Sequence, residues 1–260
     1  MTHDRICLML PTRGRCHKNP GKNPDGNDIW EGKLVNFLQS SMEMTERPTS
    51  EVVDYVFMVN QNDKDTMEFL IWRMQGYKFQ ILQENDPDVE ISKWFNRMYT
   101  ESRFNRPETM VSLVGDDMIF KTKGYDQAIL NACNEMDGNC LIHCNDAYIA
   151  GENCAVNMFT TRKVVEASDK PFMRPGHKAE MVDDIWTKLA IMIHIKRYLP
   201  DVVIYHDHFT KLPENMWDET AKRITPYQRE AHAKRDLVAE QEYINQMAKT
   251  LVSKGIGYVG

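Results

Sequence analysis

Apolar and polar positions along the chain fall into blocks that read as strand, loop, helix and strand again. Residues 5–10 (Arg-Ile-Cys-Leu-Met-Leu) form a near-continuous apolar run, the pattern of a buried strand, and it ends in the basic loop Pro11-Thr12-Arg13-Gly14-Arg15. Residues 16–27 hold Pro20, Gly21, Pro24 and Gly26 and read as a loop lying over whatever site the strand ends form. Asp28, with Glu31 three residues on, predicts a capped helix start, and Trp30, Leu34, Phe37, Leu38 and Met42 then share one face. Residues 52–59 return as a second strand ending in Asn60-Gln61-Asn62-Asp63. Asp65 is the expected cap of a helix over 66–74, with Phe69, Leu70 and 72–74 packed on the sheet. Gly76 stops it and residues 77–82 alternate into a third strand. Residues 91–99 follow as a helix with Ser92, Lys93 and Asn96 on or near one side.

The next block carries the strongest chemical signal. Residues 110–114 are short, partly β-branched and nearly free of polar side chains, which fits a buried strand, and the run stops at Gly115 to deliver Asp116 and Asp117. Open α/β sheets bind ligands beyond the carboxyl ends of their strands, and two adjacent acids there ordinarily share a divalent cation, because like charges packed without one are costly. A polar turn capping residue 118 onward is the structural alternative. The alternation up to this point predicts an α/β fold with a doubly wound, mostly parallel sheet. Further on, a helix over 124–136, an irregular strand from 141 to 149, an extension at 157–159 and a short helix over 160–167 are expected. The loop 171–177 leads to Glu180-Met181-Val182-Asp183-Asp184, which opens a long apolar helix to about residue 198. A helix N-terminus favours carboxylates, so Asp183 and Asp184 read as caps or as a general base. A last strand, 202–205, ends in His206-Asp207-His208.

Composition narrows the function. The chain has 260 residues, enough for one large α/β domain, and no linker-like or low-complexity tract. We expect one domain over 1–209 with a helical extension over 210–260. Net charge is -6, which argues against a dedicated nucleic-acid-binding module. The longest apolar stretch, 189–195, is broken by His194 and is far below the roughly 20 residues a spanning helix needs, so no membrane segment is expected. Six cysteines lack any Cys-x-x-Cys pair and read as buried thiols of a reducing, cytoplasmic compartment. Beyond 209 the charged helix expected over 227–251 has Leu237, Tyr243, Ile244, Met247 and Leu251 spaced to pack on its own domain, with a dimer or acceptor contact as the alternative. Lys222, Arg223, Arg229, Lys234 and Arg235 read as solvated charges diluted by Glu219, Glu230 and Asp236.

The basic loop after strand one, Asp-Asp after strand four, an acidic pair opening a later helix and a histidine after the next strand, in that order, resemble the GT-A fold of nucleotide-sugar glycosyltransferases, nearest the family-two-like inverting enzymes. The resemblance implies a nucleotide-diphosphate sugar as donor and Mn²⁺ or Mg²⁺ held by Asp117 with His206 or His208. It implies further that Pro11, Thr12, Arg13, Arg15, Asn60, Ser92, Asn96 and Asp116 grip the nucleotide, and that Asp184, with Asp183 as the alternative, deprotonates the acceptor hydroxyl. Two departures stand out: Gly-Asp-Asp replaces Asp-x-Asp, and Asn60-Gln61-Asn62-Asp63 replaces an Asp-Asp-Gly-Ser turn. The acceptor suggested by style is a hydroxylated base in phage DNA. A cell-envelope glycan is the competing acceptor, and a nucleotidyltransferase or an idle binding domain the competing activities.

Overall fold

The computed structural model describes residues 2–24, 26–85, 90–104, 106–148, 151–176, 182–208 and 235–258, together with Lys211, Pro213, Lys222 and Thr225. The strands are β1 (Arg5–Thr12), β2 (His17–Lys22), β3 (Asp28–Glu31), β4 (Val53–Asn60), β5 (Lys78–Glu84), β6 (Thr109–Leu113), β7 (Met118–Phe120), β8 (Leu141–Asn145), β9 (Met158–Thr161) and β10 (Lys196–His206). The helices are α1 (Lys33–Glu43), α2 (Thr49–Val52), α3 (Lys64–Arg73), α4 (Ile91–Glu101), α5 (Tyr125–Glu135), α6 (Arg162–Ala167), α7 (Val182–Met192) and α8 (Leu237–Ser253).

Eight strands form one sheet in the order β5-β4-β1-β6-β9-β8-β10-β7, in which only β9 and β7 run antiparallel. The expected mostly parallel α/β architecture is therefore present. Period-two alternation sorts β1 between two cores. Ile6, Leu8 and Leu10 join Leu34, Phe37, Phe69 and Ile129 on the face covered by α1, α3 and α5; Cys7 and Met9 join Trp94, Met98, Trp186 and Leu189 on the face covered by α4 and α7. α8 extends this second core with Ile244, Met247 and Leu251, so these residues pack on the chain's own domain. The expected start of that helix, 227–234, lies outside the described residues, as do Arg223, Arg229, Lys234, Glu219 and Glu230. All six cysteines are free, and all but Cys154 are buried.

Several local expectations are corrected. Residues 16–27 are not plain loop: β2 and β3 pair as an antiparallel ribbon, and Asp28 sits in it rather than capping a helix. The ribbon's β2 strand is polar and mostly exposed and is tied down by Lys18, whose ammonium lies 2.8 Å from Asp28 and 2.8 Å from Glu68, while Trp30 of β3 is buried in the first core. α1 starts at Lys33 instead, with Gly32 at its N-cap position and no side-chain cap. The cap of α3 is Asp63, not Asp65, and accepts from the Thr66 amide. Trp72 does not pack inward: it is 48 % exposed, beside Ile71 at 56 %. Thr160 and Thr161 belong to β9, and Thr161 caps α6. β8 ends at Asn145, with Ile149 outside the described residues. The long apolar run after Asp184 does not stay helical to 198. His194 takes a left-handed conformation (φ 57°) just past the end of α7 and turns the chain into β10, which starts at Lys196.

Candidate functional site

The parallel strands β1, β4, β6, β8 and β10 deliver Thr12, Asn60, Asp116, Asp146 and His206 to one edge of the sheet, its carboxyl edge. α7 runs back toward the start of β10, so its first residues, Asp183 and Asp184, lie on the same side of the sheet.

Asp116 and Asp117 meet their partners for traceable reasons. After β6 the chain turns at Gly115, whose carbonyl accepts from the Met118 amide at 3.2 Å. A methyl group on Gly115 would stand 2.5 Å from Asp117 Oδ1, so only glycine lets that carboxylate fold back. β7 then pairs with the end of β10, Met118 opposite His206, and the Asp207 amide donates to the Asp117 carbonyl at 2.8 Å. This register places His206 Nε2 3.5 Å from Asp117 Oδ1. From the other side Arg15 Nη1 reaches Asp116 Oδ1 at 3.1 Å and Asp117 Oδ2 at 3.2 Å, while Thr12 Oγ1 donates to Asp116 Oδ2 at 2.7 Å. All five side chains are largely buried, so these charge-assisted contacts work in a low dielectric.

The two acids titrate apart. Burial pushes Asp116 up to about 6 against the pull of the Arg15 guanidinium, and the neighbouring Asp117 charge adds to the rise. Burial also acts upward on Asp117, but His206, Arg15 and Lys33 outweigh it and hold that carboxyl well below the ordinary range. His208 is pushed down to about 4 by burial and by the adjacent His206, whose ring lies 4.9 Å from its own.

Arg15 is placed by its backbone. Its carbonyl accepts from the Leu34 amide at 3.2 Å, across Gly32, whose φ of 125° no other residue adopts readily. A side chain on Gly32 would collide with that same carbonyl. The ribbon of β2 and β3 therefore loops out and returns so that α1 begins against Arg15. Lys33, the first residue of α1, donates to the Asp207 carbonyl at 2.6 Å and sits 3.4 Å from its carboxylate. Sequence reading missed Lys33, since the Asp28–Glu31 capping pattern puts the helix start at Asp28, whereas α1 begins at Lys33.

The other predicted contacts scatter. Pro11 and Arg13 are half-buried beside Thr12. Asn60 is buried and accepts from the Asn62 amide at 3.0 Å; Asp63 takes the Gly14 amide at 2.7 Å and so ties the loop after β4 to the loop after β1. Ser92 is buried with its hydroxyl unpartnered, whereas Asn96 is committed to Met173 by two backbone bonds, at 2.7 and 2.9 Å. Asp183 is half-buried against Cys154 (Sγ to Oδ2, 3.6 Å), and burial raises its carboxyl. Asp184 accepts from Lys188 at 2.9 Å and from Arg235; burial acts upward on it, but the two cations hold it low. Arg235, expected to be solvated, is thus engaged.

Among the described residues no group of three or more His, Cys, Asp and Glu side chains closes on one point. Asp117 and His206 do face each other at a separation one small cation can bridge, and Mg²⁺-type sites ordinarily need only one or two protein ligands when substrate phosphates supply the rest. The residues present therefore fit a two-ligand site completed by a diphosphate. Among the described residues no helix is long and apolar enough to cross a membrane.

No protein-family model matches the chain, and no curated protein matches it. Solved structures do. S. aureus TarS 1-349 superposes with a TM-score of 0.56 at 10% identity, covering 96% of this chain and 72% of that one. Its complex with UDP-GlcNAc gives 0.55 at 9% identity, covering 96% and 73%. The 4-diphosphocytidyl-2C-methyl-D-erythritolsynthase from Anaerococcus prevotii DSM 20548 gives 0.50 at 9% identity, covering 87% of this chain and 96% of that one. At such identities the likeness is one of fold, and the chain has the GT-A-like, Rossmann-type α/β fold these structures share with it.

Proposed function

We propose that the protein is a glycosyltransferase that moves a sugar from a nucleotide-diphosphate donor to an acceptor hydroxyl with inversion at the anomeric carbon. The observation that carries this reading is the Asp117–His206 pair, set by the β7–β10 register at the carboxyl edge of the sheet with Arg15 beside it. Likeness to a protein solved with UDP-GlcNAc supports it. A leaving diphosphate gains negative charge in the transition state, and preorganised cations there stabilise it without reorganisation. Arg15 and Lys33 are placed to do this on the donor side, with Pro11, Thr12, Arg13, Asn60, Ser92 and Asn96 framing the nucleotide. Asp117 and one of His206 and His208 would hold Mn²⁺ or Mg²⁺, which when bound supplies Lewis-acid neutralisation of the diphosphate. Asp116, partly protonated near neutral pH, keeps its hydrogen bond to Thr12 and shapes the loop. On the acceptor side Asp184, a low-lying carboxylate at a helix start, accepts the hydroxyl proton as the new bond forms.

A nucleotidyltransferase is the second reading, favoured by the synthase likeness. Such an enzyme would be expected to carry a longer glycine-rich basic stretch after the first strand and no late histidine; here the basic loop is short and His206 is in place. The deciding experiment incubates the purified protein with Mn²⁺ and a panel of nucleotide-sugars, following release of nucleoside diphosphate, with hydroxymethylated DNA and envelope glycans as acceptor arms. Nucleoside-diphosphate release supports the proposal. Pyrophosphate release from a nucleoside triphosphate with a sugar phosphate, and no diphosphate release from any sugar donor, overturns it.

A further inference from the structure

A second knot of charges joins the start of α8 to the start of α7. Arg235 precedes Asp236, the cap of α8, and its Nε donates to both carboxylate oxygens of Glu240, at 2.9 and 2.8 Å. Its Nη2 lies 2.6 Å from Glu240 Oε2 and also bonds Asp184 Oδ2. The Glu240 side chain is only 4% exposed, so the guanidinium is anchored on a buried carboxylate and presents its remaining edge to Asp184. Lys188, one turn along α7, takes the same oxygen, Oδ2, at 2.9 Å. Among the described residues Oδ1 of Asp184 has no partner. On the inner side Asp183 accepts the Asp184 amide at 3.0 Å and the Cys154 thiol, and so is used up in the protein.

A helix-to-helix bolt alone would not need this asymmetry, in which two cations grip one oxygen and leave the other. We propose that Arg235 is a positioning residue for the acceptor-side carboxylate: fixed on Glu240, it holds Asp184 by Oδ2 and leaves Oδ1 to receive the proton of the acceptor hydroxyl. The proposal rests on the glycosyltransferase reading and on Asp184 as its base. Its physical content is geometric, since a general base must sit within hydrogen-bond reach of the proton it takes, and a swinging carboxylate spends much of its time elsewhere. The charged and titratable groups facing Asp184 are Lys188 and Asp183 on α7, Cys154 from the loop before β9, and Arg235 with Glu240 behind it from the α8 side.

The test follows UDP release from UDP-GlcNAc with Mn²⁺, with glycerol as the acceptor hydroxyl, across pH. Arg235→Gln is expected to lower kcat about tenfold or more, leave the KM for UDP-GlcNAc within about twofold, and move the acidic limb of kcat upward because one of two cations is lost. Arg235→Lys, which keeps the charge without the fork, should restore the limb but only part of kcat. Glu240→Gln, with Arg235 and Asp184 both present, gives a smaller loss in the same sense and serves if Arg235→Gln does not fold. A merely structural bolt would lower the melting temperature of these variants and leave kcat per folded molecule and its pH limb unmoved; that result overturns the proposal. Failure of the underlying reading looks different: the wild type releases no UDP, or Asp184→Asn matches the wild type whatever stands at 235.

Discussion

Replacing Gly32 by alanine should disturb the donor side of the site without touching a single charged group. Gly32 has φ 125° and ψ 175°, a region essentially reserved to glycine, where another residue costs roughly 1–3 kcal/mol in backbone strain. The added methyl would also run into the Arg15 carbonyl, a backbone atom held by the Leu34 amide at 3.2 Å, so the neighbour cannot simply rotate away. A combined cost of about 3 kcal/mol corresponds to a fall in melting temperature of roughly 6–12 °C for a chain of this size. Gly14→Ala is the built-in comparison. Gly14 also has positive φ (61°), but nothing lies within 4 Å of its would-be Cβ, so strain alone acts, about 1 kcal/mol and roughly 2–4 °C. Because relief of the Gly32 clash must push the Arg15 backbone away from α1, the guanidinium 3.1 and 3.2 Å from Asp116 and Asp117 should shift as well. UDP binding by calorimetry should then weaken at least tenfold at a temperature where the variant is fully folded. Equal melting temperatures for the two alanine variants, or unweakened UDP binding by folded Gly32→Ala, would refute the reasoning.

Three further outcomes are expected. Asp117→Asn keeps the shape and removes one charge, so Mn²⁺ affinity in the presence of UDP should be lost while the fold survives; unchanged affinity in calorimetry removes Asp117 from the metal site. Thr12→Val strips the 2.7 Å bond from a buried carboxylate oxygen and should cost about 1–3 kcal/mol in urea unfolding. His143 is buried with neither ring nitrogen partnered, and burial pushes it down to about 4. With its folded value below the unfolded 6.5, the unfolded chain binds more protons between those values, so stability is lost as pH falls from about 6.5 to 4, by up to about 3 kcal/mol. His143→Phe, which keeps a ring against Tyr198, should flatten that dependence, and an unflattened profile places the titrating group elsewhere.

The parts legible in the sequence are those where one physical signal dominates. The central strands β1 and β6 are buried on both faces and therefore appear as near-continuous apolar runs, as in residues 5–10 and 110–114, and the acids follow directly after β6. The ribbon of β2 and β3 is illegible in the sequence because β2 (His-Lys-Asn-Pro-Gly-Lys) has no apolar residue, and only Trp30 of β3, packed near Phe69, and the charge pairs of Lys18 hold it. α7 ends earlier than the apolar pattern predicts because Leu189 to Ile195 is apolar in either state, and only the left-handed His194 marks the break. That the late histidine belongs beside Asp117 was visible only as a resemblance, since the contact depends on β7 crossing to the far edge of the sheet to pair with β10. The engagement of Arg235 is invisible in the sequence because its partners, Asp184 and Glu240, lie on two different helices, and sequence spacing does not show that they meet.

For the proposed metal site, register favours His206 over His208. Met118 pairs with His206, the last residue of β10, and that pairing sets the imidazole against Asp117 at 3.5 Å. His208 lies two residues beyond the strand, where alternation no longer guarantees that it shares a face with His206, and its ring contacts are with His206 and Tyr148. A cation bridging Asp117 and a histidine would therefore find His206 with the backbone as it stands. His206→Ala should weaken Mn²⁺ binding in the presence of UDP at least tenfold, in line with the loss of a direct ligand, and His208→Ala should weaken it no more than a few fold. His206→Asn should recover part of the loss if the residue also packs against Asp117, since the amide keeps a polar group there without imidazole basicity. The reverse ranking, with His208→Ala the damaging change, would mean that the loop after β10 closes on the metal and that the β7–β10 register serves only to place Asp117.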